Sequence, residues 1–173
     1  MGNKHSASRT RSVFTVIYTV AALLGIIAVF MAWIQYPDWY PGSNVTGWES
    51  ISDGSVGPVI RLLPAGVLIF SVFAMITGVV TMFMPKVRGG EIAVFAGAIV
   101  FIAAIIFILD VGLGTHTYYA VDVEFQTLVP IDADPGASIG VGLAAAAGVV
   151  MALFGALAAL YSARIRNDIS YEE

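Results

Sequence analysis

The segment IGVGLAAAAGVVMALFGALAALY, residues 139–161, carries no charged side chain. It is long enough for a helix to cross the hydrocarbon core of a bilayer, which takes roughly 20 apolar residues. Glycine or alanine recurs in it at every fourth position, and small residues on one face let membrane helices approach each other closely. The segment is therefore predicted to be a membrane-spanning helix that packs tightly against a neighbour.

Three other runs of the chain have the same apolar character. The predicted spans cover 13–34, 62–84, 92–109 and 139–161, and none of them contains a charged residue. The first run is longer than the apolar core of a signal peptide, so we interpret it as a retained span. Hydrophobic residues make up 58% of the 173 residues and charged residues 12%, about half the charged share of an ordinary soluble domain. These features predict an all-α integral membrane protein with four helices surrounded by lipid.

Basic residues are distributed unequally between the two ends of the predicted spans. On one side lie Lys4, Arg9, Arg11, Lys86, Arg88, Arg164 and Arg166, and on the other side lies Arg61. The positive-inside rule then assigns both termini to the cytoplasm. We predict a multi-pass cell-membrane protein with an up-down-up-down four-helix bundle, cytoplasmic tails at 1–12 and 162–173, and outer loops at 35–61 and 110–138.

The first outer loop is rich in aromatic residues. Four of them stand at or just beyond the end of the first span: Trp33, Tyr36, Trp39 and Tyr40. Trp and Tyr favour the headgroup level of a bilayer, where the ring is half buried and its polar atom stays hydrated. We therefore interpret these four residues as an interfacial belt.

The stretch NVTGWES, residues 44–50, places one more aromatic residue in a polar part of this loop. Trp48 is interpreted as the mostly buried apolar centre of a small extracellular cap. The alternatives are that it dips back to the membrane interface or stacks on a ligand. Asn44 and Thr46 also form a possible glycosylation signal on the side of the membrane where glycans are added.

The second outer loop contains an extended pattern. Residues 121–125 alternate between apolar and acidic side chains, which indicates a half-buried strand. Residues 129–131 are a further short extended piece, and residues 134–136 indicate a turn before the fourth span. Two short loops form a weak sheet unless they pair with each other, so we predict a β-like cap built from both loops.

The fourth span carries the clearest packing signal. Its small residues recur at every fourth position and are candidates for helix packing or association: Gly140, Ala144, Gly148, Ala152 and Ala156. One interpretation is packing within the four-helix bundle. The other is contact with a second subunit, because crossed helices touch closely over only a few turns and the row is longer than that. The sequence leaves both open.

Few residues of the sequence are candidates for a catalytic site, a metal site or an ion pair. The chain has no cysteine, and a net charge of −4 argues against binding to nucleic acid. Arg61 and Asp110 stand at outer ends of two spans and are predicted to form an ion pair there. His116 with Asp110 and the acids at 122 and 124 offers ligands for a divalent cation, but a hydrated acidic surface explains them as well. Serine and threonine within the spans are expected to bond to their own helix backbone. We predict no cofactor and no enzymatic site.

The layout resembles the claudin and peripheral-myelin-protein group of four-span membrane proteins. The residues that carry this resemblance are Trp33, the pair Gly47-Trp48 and Arg61. The pattern of that group has Gly-Leu-Trp followed by two cysteines, and this chain lacks the leucine and both cysteines. The resemblance implies an extracellular β-cap and lateral self-association.

The leading functional hypothesis is a non-catalytic subunit or scaffold of a membrane complex, with other membrane proteins or a second copy of the chain as partners. It rests on the absence of charged side chains and thiols from the predicted spans, on the small-residue row and on the extended patterns of the outer loops. The alternative is a component of an oligomeric channel or transporter, for which broken helices are expected.

The topology gives a first testable prediction. A cysteine introduced at Ser43 or Ser138 is expected to react with a membrane-impermeant thiol reagent added outside intact cells, because both positions fall in outer loops. A cysteine at Ser8 is expected to react only after the membrane is opened. Labelling of Ser8 alone from outside would reverse the assigned orientation.

Overall fold

The fold is seen in a computed structural model of the chain that is mostly helical. The structure describes residues 2–36, 44–52, 58–84, 87–112, 118–122, 127–131 and 136–170. In these parts of the chain it has four helices that are long and apolar enough to cross a membrane.

Among the described residues the order along the chain is one helix, two strands, three helices, three strands and a last helix. The helices are α1 (Gly2–Val29), α2 (Gly47–Ser52), α3 (Pro58–Phe83), α4 (Gly89–Gly112) and α5 (Ile139–Ser170). The strands are β1 (Ala32–Gln35), β2 (Val45–Thr46), β3 (Tyr118–Asp122), β4 (Thr127–Ile131) and β5 (Gly136–Ala137).

The four long helices pack side by side as a bundle. Helix α1 contacts α3 and α5, and α4 contacts the same two helices. Between them lies a core that is rich in alanine and valine, with larger side chains such as Phe107 and Met151. Large apolar side chains such as Ile69 and Leu153 point outward and are exposed along the helices. An apolar core inside an apolar surface is the arrangement that a lipid solvent favours.

The predicted spans match the helices except at the end of the first run. Helix α1 stops at Val29, and residues 32–35 form strand β1, so the prediction of one span over 13–34 is wrong in its last turn. Hydropathy stays high through this region, but the backbone of β1 bonds to two other strands instead of to its own helix. The other helices extend beyond the predicted runs because helical hydrogen bonds do not require an apolar sequence.

Strand β1 is the middle strand of a three-stranded antiparallel sheet at one end of the bundle. Ile34 is opposite Val45 of β2 on one side and Ala137 of β5 on the other. The sheet therefore joins the segment after α1 to the segment before α5, but it does not contain the extended pieces predicted in the second loop, and the extracellular cap stays a prediction. We call this end of the bundle the strand end.

A separate hairpin lies in the second loop. Strands β3 and β4 pair from Tyr118 with Ile131 to Asp122 with Thr127. The predicted strand over 121–125 overlaps β3 in its first two residues, and residues 123–126 lie outside the described residues. The predicted extended piece at 129–131 lies within β4. Of the predicted turn at 134–136, only Gly136 is described, and it belongs to β5.

Glycines set the distance between α4 and α5. A Cβ atom at Gly97 would lie 2.6 Å from the backbone N of Ala152 and 2.6 Å from the carbonyl O of Gly148. Two helical turns away, a Cβ at Gly90 would lie 2.7 Å from the carbonyl O of Gly155. Such distances are too short for any side chain. The two backbones therefore touch along several turns, which dispersion contacts stabilise in lipid.

This close approach predicts opposite outcomes for two glycines of α5. Gly148→Leu is expected to force α4 and α5 apart and to lower the free energy of unfolding by about 1–3 kcal/mol or more, as overpacking does. Gly142→Leu is the matched control, because a Cβ at Gly142 meets no atom within 4 Å. The measurement is unfolding of both variants in mild detergent. Equal stability of the two would show that the α4–α5 contact is not as tight as described.

Candidate functional site

Trp33 is the centre of the strand end. Its side chain is 0% exposed, and its ring meets Phe107 of α4 edge-on with ring centroids 4.8 Å apart. Its Nε1 donates a hydrogen bond of 2.7 Å to the carbonyl O of Ala28. Carbonyls in the last turn of a helix have no partner within the helix, so this indole stabilises the end of α1. The interpretation of Trp33 as an interfacial belt residue is wrong, because the turn after Val29 directs the ring into the bundle.

Gly140 and Gly47 make room for the buried indole. A Cβ at Gly140 would lie 2.7 Å from Cδ1 of Trp33, and one at Gly47 would lie 2.9 Å from its Nε1. Gly47 is also held by its backbone, since its N–H donates to the carbonyl O of Met31 at 3.3 Å. Small residues from two distant parts of the chain thus enclose one aromatic ring.

The stretch NVTGWES begins helix α2 with a capping box. The backbone N–H of Glu49 donates to Oγ1 of Thr46 at 3.1 Å, and the backbone N–H of Thr46 donates to Oε2 of Glu49 at 2.7 Å. This reciprocal pair satisfies two donors at the start of the helix. The hydrogen bond from the backbone of Thr46, followed by that from its side chain, lowers the pKa of Glu49. The Thr-x-x-Glu spacing at residues 46–49 is the signal in the sequence from which the start of this helix can be found.

Trp48 lies on the outer side of α2. The neighbouring residues Gly47 and Ser50 are buried against the bundle, so the side chain between them in the helix points away from it. Trp48 is 47% exposed and stacks on Phe30, with ring centroids 5.6 Å apart and ring planes at 27°. The prediction that Trp48 is the mostly buried centre of a cap is wrong. Trp33 holds that position instead.

Other predicted residues of the outer loops have clear positions. Nε of Arg61 donates to the carbonyl O of Ile51 at 3.4 Å and so ties α2 to α3. Asp110 is half-buried near the end of α4, and its ion pair with Arg61 stays a prediction. Asn44 is exposed directly before β2, and its glycosylation also stays a prediction. Tyr36 packs against the core, whereas Trp39 and Tyr40 lie outside the described residues.

The small-residue row of α5 divides into two parts. Gly140 faces the end of α1, Ala144 is fully buried, and Gly148 touches the backbone of Phe101. The backbone of Ala152 contacts α4 at Gly97. These positions are accounted for by packing within the chain. Ala156 differs, because it lines an open groove on the surface of the α4–α5 pair.

This groove lies toward the end of the bundle opposite to the strand end. It has a volume of about 500 Å³ and is lined by Glu91, Val94, Ala156, Ala159, Leu160 and Ala163. The carboxylate of Glu91 is 3.6 Å from the guanidinium of Arg88, and both side chains are largely exposed. We call these six residues the alanine groove, since three alanines of α5 form its wall.

Polar side chains between α1 and α3 bond to their own helices. The hydroxyl of Thr19 donates to the carbonyl O of Thr15, and that of Thr81 donates to the carbonyl O of Thr77, each at 2.7 Å. The hydroxyl of Thr77 donates likewise to Phe73. This confirms the expectation for these threonines. For Ser71 of α3 the expectation is wrong, because its buried hydroxyl has no hydrogen-bond partner in the part of the chain that the structure describes.

The residues named as possible cation ligands are only partly described. Among the residues that the structure describes, no group of three or more His, Cys, Asp or Glu side chains is arranged to hold a metal ion. His116 and Glu124 lie outside those residues, and for Asp122 only the backbone is described. The described part of the chain thus adds no metal centre to the candidate sites.

No family model, curated protein or solved structure matches this chain. The resemblance to claudin-type proteins is therefore carried only by the residues of this chain named above. Of these, Trp33, Gly47 and Trp48 meet at the end of α1, and Arg61 bonds to the helix that begins at Gly47. The residues singled out from the sequence thus belong to one structural unit.

The two tryptophans give a matched pair for mutation. Trp33→Ala is expected to cost about 3–5 kcal/mol of folding free energy, because it opens a cavity in the core and leaves the carbonyl of Ala28 without its indole donor. Trp48→Ala removes a half-exposed ring and is expected to cost clearly less. The measurement is unfolding in mild detergent, with helix content as the fold check. A larger loss for Trp48→Ala would contradict the assignment of Trp33 as the central residue.

Proposed function

We propose that this chain is a non-catalytic multi-pass protein of the cell membrane that acts as a subunit or scaffold of a membrane complex and associates laterally with other membrane proteins, including a second copy of itself. In this proposal the bundle has up-down-up-down topology, the strand end is extracellular, and both termini are cytoplasmic. The observation that supports association is the alanine groove.

The groove has the chemistry that membrane helices use to associate. In lipid the hydrophobic effect does not drive helices together, so association depends on close packing and on small residues that permit it. Ala156, Ala159 and Ala163 follow one another at three- and four-residue spacing and so lie on one face of α5. A helix of another chain has room to approach this face more closely than the large side chains elsewhere on α5 permit.

The composition of the groove also separates it from the general lipid-facing surface. On α5 that surface is formed by large residues such as Leu153 and Leu157, whereas three of the four α5 residues that line the groove are alanines and the fourth is Leu160. Glu91 adds a carboxylate at one edge, where a helix from a partner protein can place a basic or hydroxyl side chain. Contact with lipid does not require small residues, because lipid chains cover large and small side chains alike. Close contact with another helix does require them, so a row of small residues open to lipid is best explained by helix association.

Variants of two alanines on α5 test this proposal. Ala156→Phe fills the groove and is expected to reduce association, because the added ring prevents close approach of a partner helix. Ala146→Phe is the matched control on an exposed position of the same helix, outside the groove. The measurements are particle mass in mild detergent and recovery of copurifying proteins from native membranes, with thermal unfolding as the fold check.

The proposal fails if the parent protein is strictly monomeric and copurifies with no other protein from native membranes. It also loses its structural basis if both phenylalanine variants associate as the parent does. Loss of association in the Ala156→Phe variant alone, at unchanged stability, supports the groove as the contact.

A further inference from the structure

One face of α1 and of the turn that follows it carries a continuous stripe of exposed apolar side chains. Its members follow each other at alternating three- and four-residue spacing and are between 45% and 54% exposed: Val13, Val16, Val20, Leu23, Ile27 and Phe30. We call them the α1 stripe. The stripe ends at Phe30, and there the ring of Trp48 stacks on it.

The length of the stripe matches the thickness of a bilayer core. From Val13 to Phe30 the helical rise is about 26 Å, and the hydrocarbon core is about 30 Å thick. Exposed Arg9 lies one turn before the stripe begins and suits the headgroup level on that side. When the stripe is immersed in hydrocarbon, Phe30 and Trp48 lie at the opposite boundary, where hydrocarbon meets the glycerol and headgroup region.

The position of Trp48 is set by contacts on the other side of α2. Gly47 and Ser50 are buried, and the hydroxyl of Ser50 donates to the carbonyl O of Thr46 at 3.1 Å. The capping box holds the first turn, and Arg61 holds the end of the helix through the carbonyl of Ile51. With α2 fixed across the end of α1, its half-exposed indole is directed sideways over the α1 stripe.

We propose that Phe30 and Trp48 together form a docking surface for the interfacial region of one lipid leaflet, and that α2 is an anchor which sets the depth of the bundle in the bilayer. Phe30 supplies a purely apolar ring on the hydrocarbon side. Trp48 supplies an amphipathic ring whose N–H can donate to an ester carbonyl or phosphate oxygen of a phospholipid. The exposed carboxylate of Glu49, held in the capping box, stays in water beside it.

The partner is a lipid leaflet because the aromatic pair continues a surface that is already apolar over the whole thickness of the bilayer. A protein partner at this place would need to cover the α1 stripe as well. This inference does not depend on the alanine groove, which involves α4 and α5. The two proposals can therefore fail separately.

Fluorescence quenching in vesicles tests the depth of Trp48. The parent and Trp48→Phe are reconstituted into phosphatidylcholine vesicles that carry bromine atoms either near the ester end of the acyl chains or near their methyl end. The variant keeps an aromatic ring against Phe30 and removes only the indole, so the difference between the two emissions reports Trp48. We expect quenching by the shallow bromines to exceed that by the deep ones roughly twofold, because indoles at an interface lie near the glycerol level.

Two other outcomes overturn the proposal. If acrylamide in the aqueous phase quenches the Trp48 emission and the brominated lipids do not, the ring lies in water. If neither quencher reaches it, another protein chain covers the ring.

Spin labelling gives an independent measurement, because the chain has no cysteine of its own. A nitroxide attached to a cysteine at position 48 is expected to collide more with oxygen dissolved in the lipid than with a nickel chelate in water. A nitroxide at Ser52, an exposed residue at the end of the same helix, is the matched control and is expected to show the opposite preference. Equal preference for the nickel chelate at both positions would contradict the anchor.

Discussion

The strand end depends on the way α1 stops. A helix that ends in an apolar environment leaves carbonyl groups without partners, and here the carbonyl of Ala28 receives both the indole N–H of Trp33 and the backbone N–H of Met31. The turn that makes this possible sends the chain into β1. Strand β1 then pairs with β2 and β5, so that one helix end determines where α2 begins and where α5 enters the bundle. The exposed position of Trp48 follows from the same geometry, because α2 can turn only its Gly47 and Ser50 side toward the bundle.

A second constraint acts along the rest of the bundle. Large side chains on the helix surfaces face outward, and the inward contacts are made largely by glycine, alanine and valine. Where backbones touch, as at Gly97 with Gly148, a side chain of any size would separate them. The consequence for function is a division of the small residues of α5. Those near the strand end and the middle serve the fold, as do Gly155 and the backbone of Ala159 where they meet Gly90, whereas Ala156 and Ala163 border an open groove. The proposed association uses only the second group.

The functional proposals rest on surfaces, and the two surfaces differ in chemistry. The alanine groove is lined mainly by small residues, so its binding to a partner helix depends on how closely the two helix backbones can approach. The aromatic pair of Phe30 and Trp48 offers a large amphipathic surface. Its proposed interaction is with the boundary between the hydrocarbon core and the headgroup region of a bilayer. They lie on different helices and toward opposite ends of the bundle. In these two proposals, the aromatic pair holds the protein at one depth and the alanine groove contacts its neighbours.

The sequence by itself determined that four helices are long and apolar enough to cross a membrane, since that depends only on the length of charge-free runs and on the cost of placing polar groups in lipid. It also indicated extended structure around residues 121 and 129, and the bonding of threonines to their own helices. The sequence did not predict that α1 ends at Val29, because the apolar run continues to Ile34. Residues 32–35 are extended only because they pair with two strands from other parts of the chain. Trp33 stands at the end of an apolar run and Trp48 in a polar stretch, yet these local surroundings did not reveal which of the two rings is buried in the bundle. The tertiary structure decided it, because a cavity for one indole exists where Gly47, Gly140 and Phe107 meet, and these residues come from three separate parts of the chain.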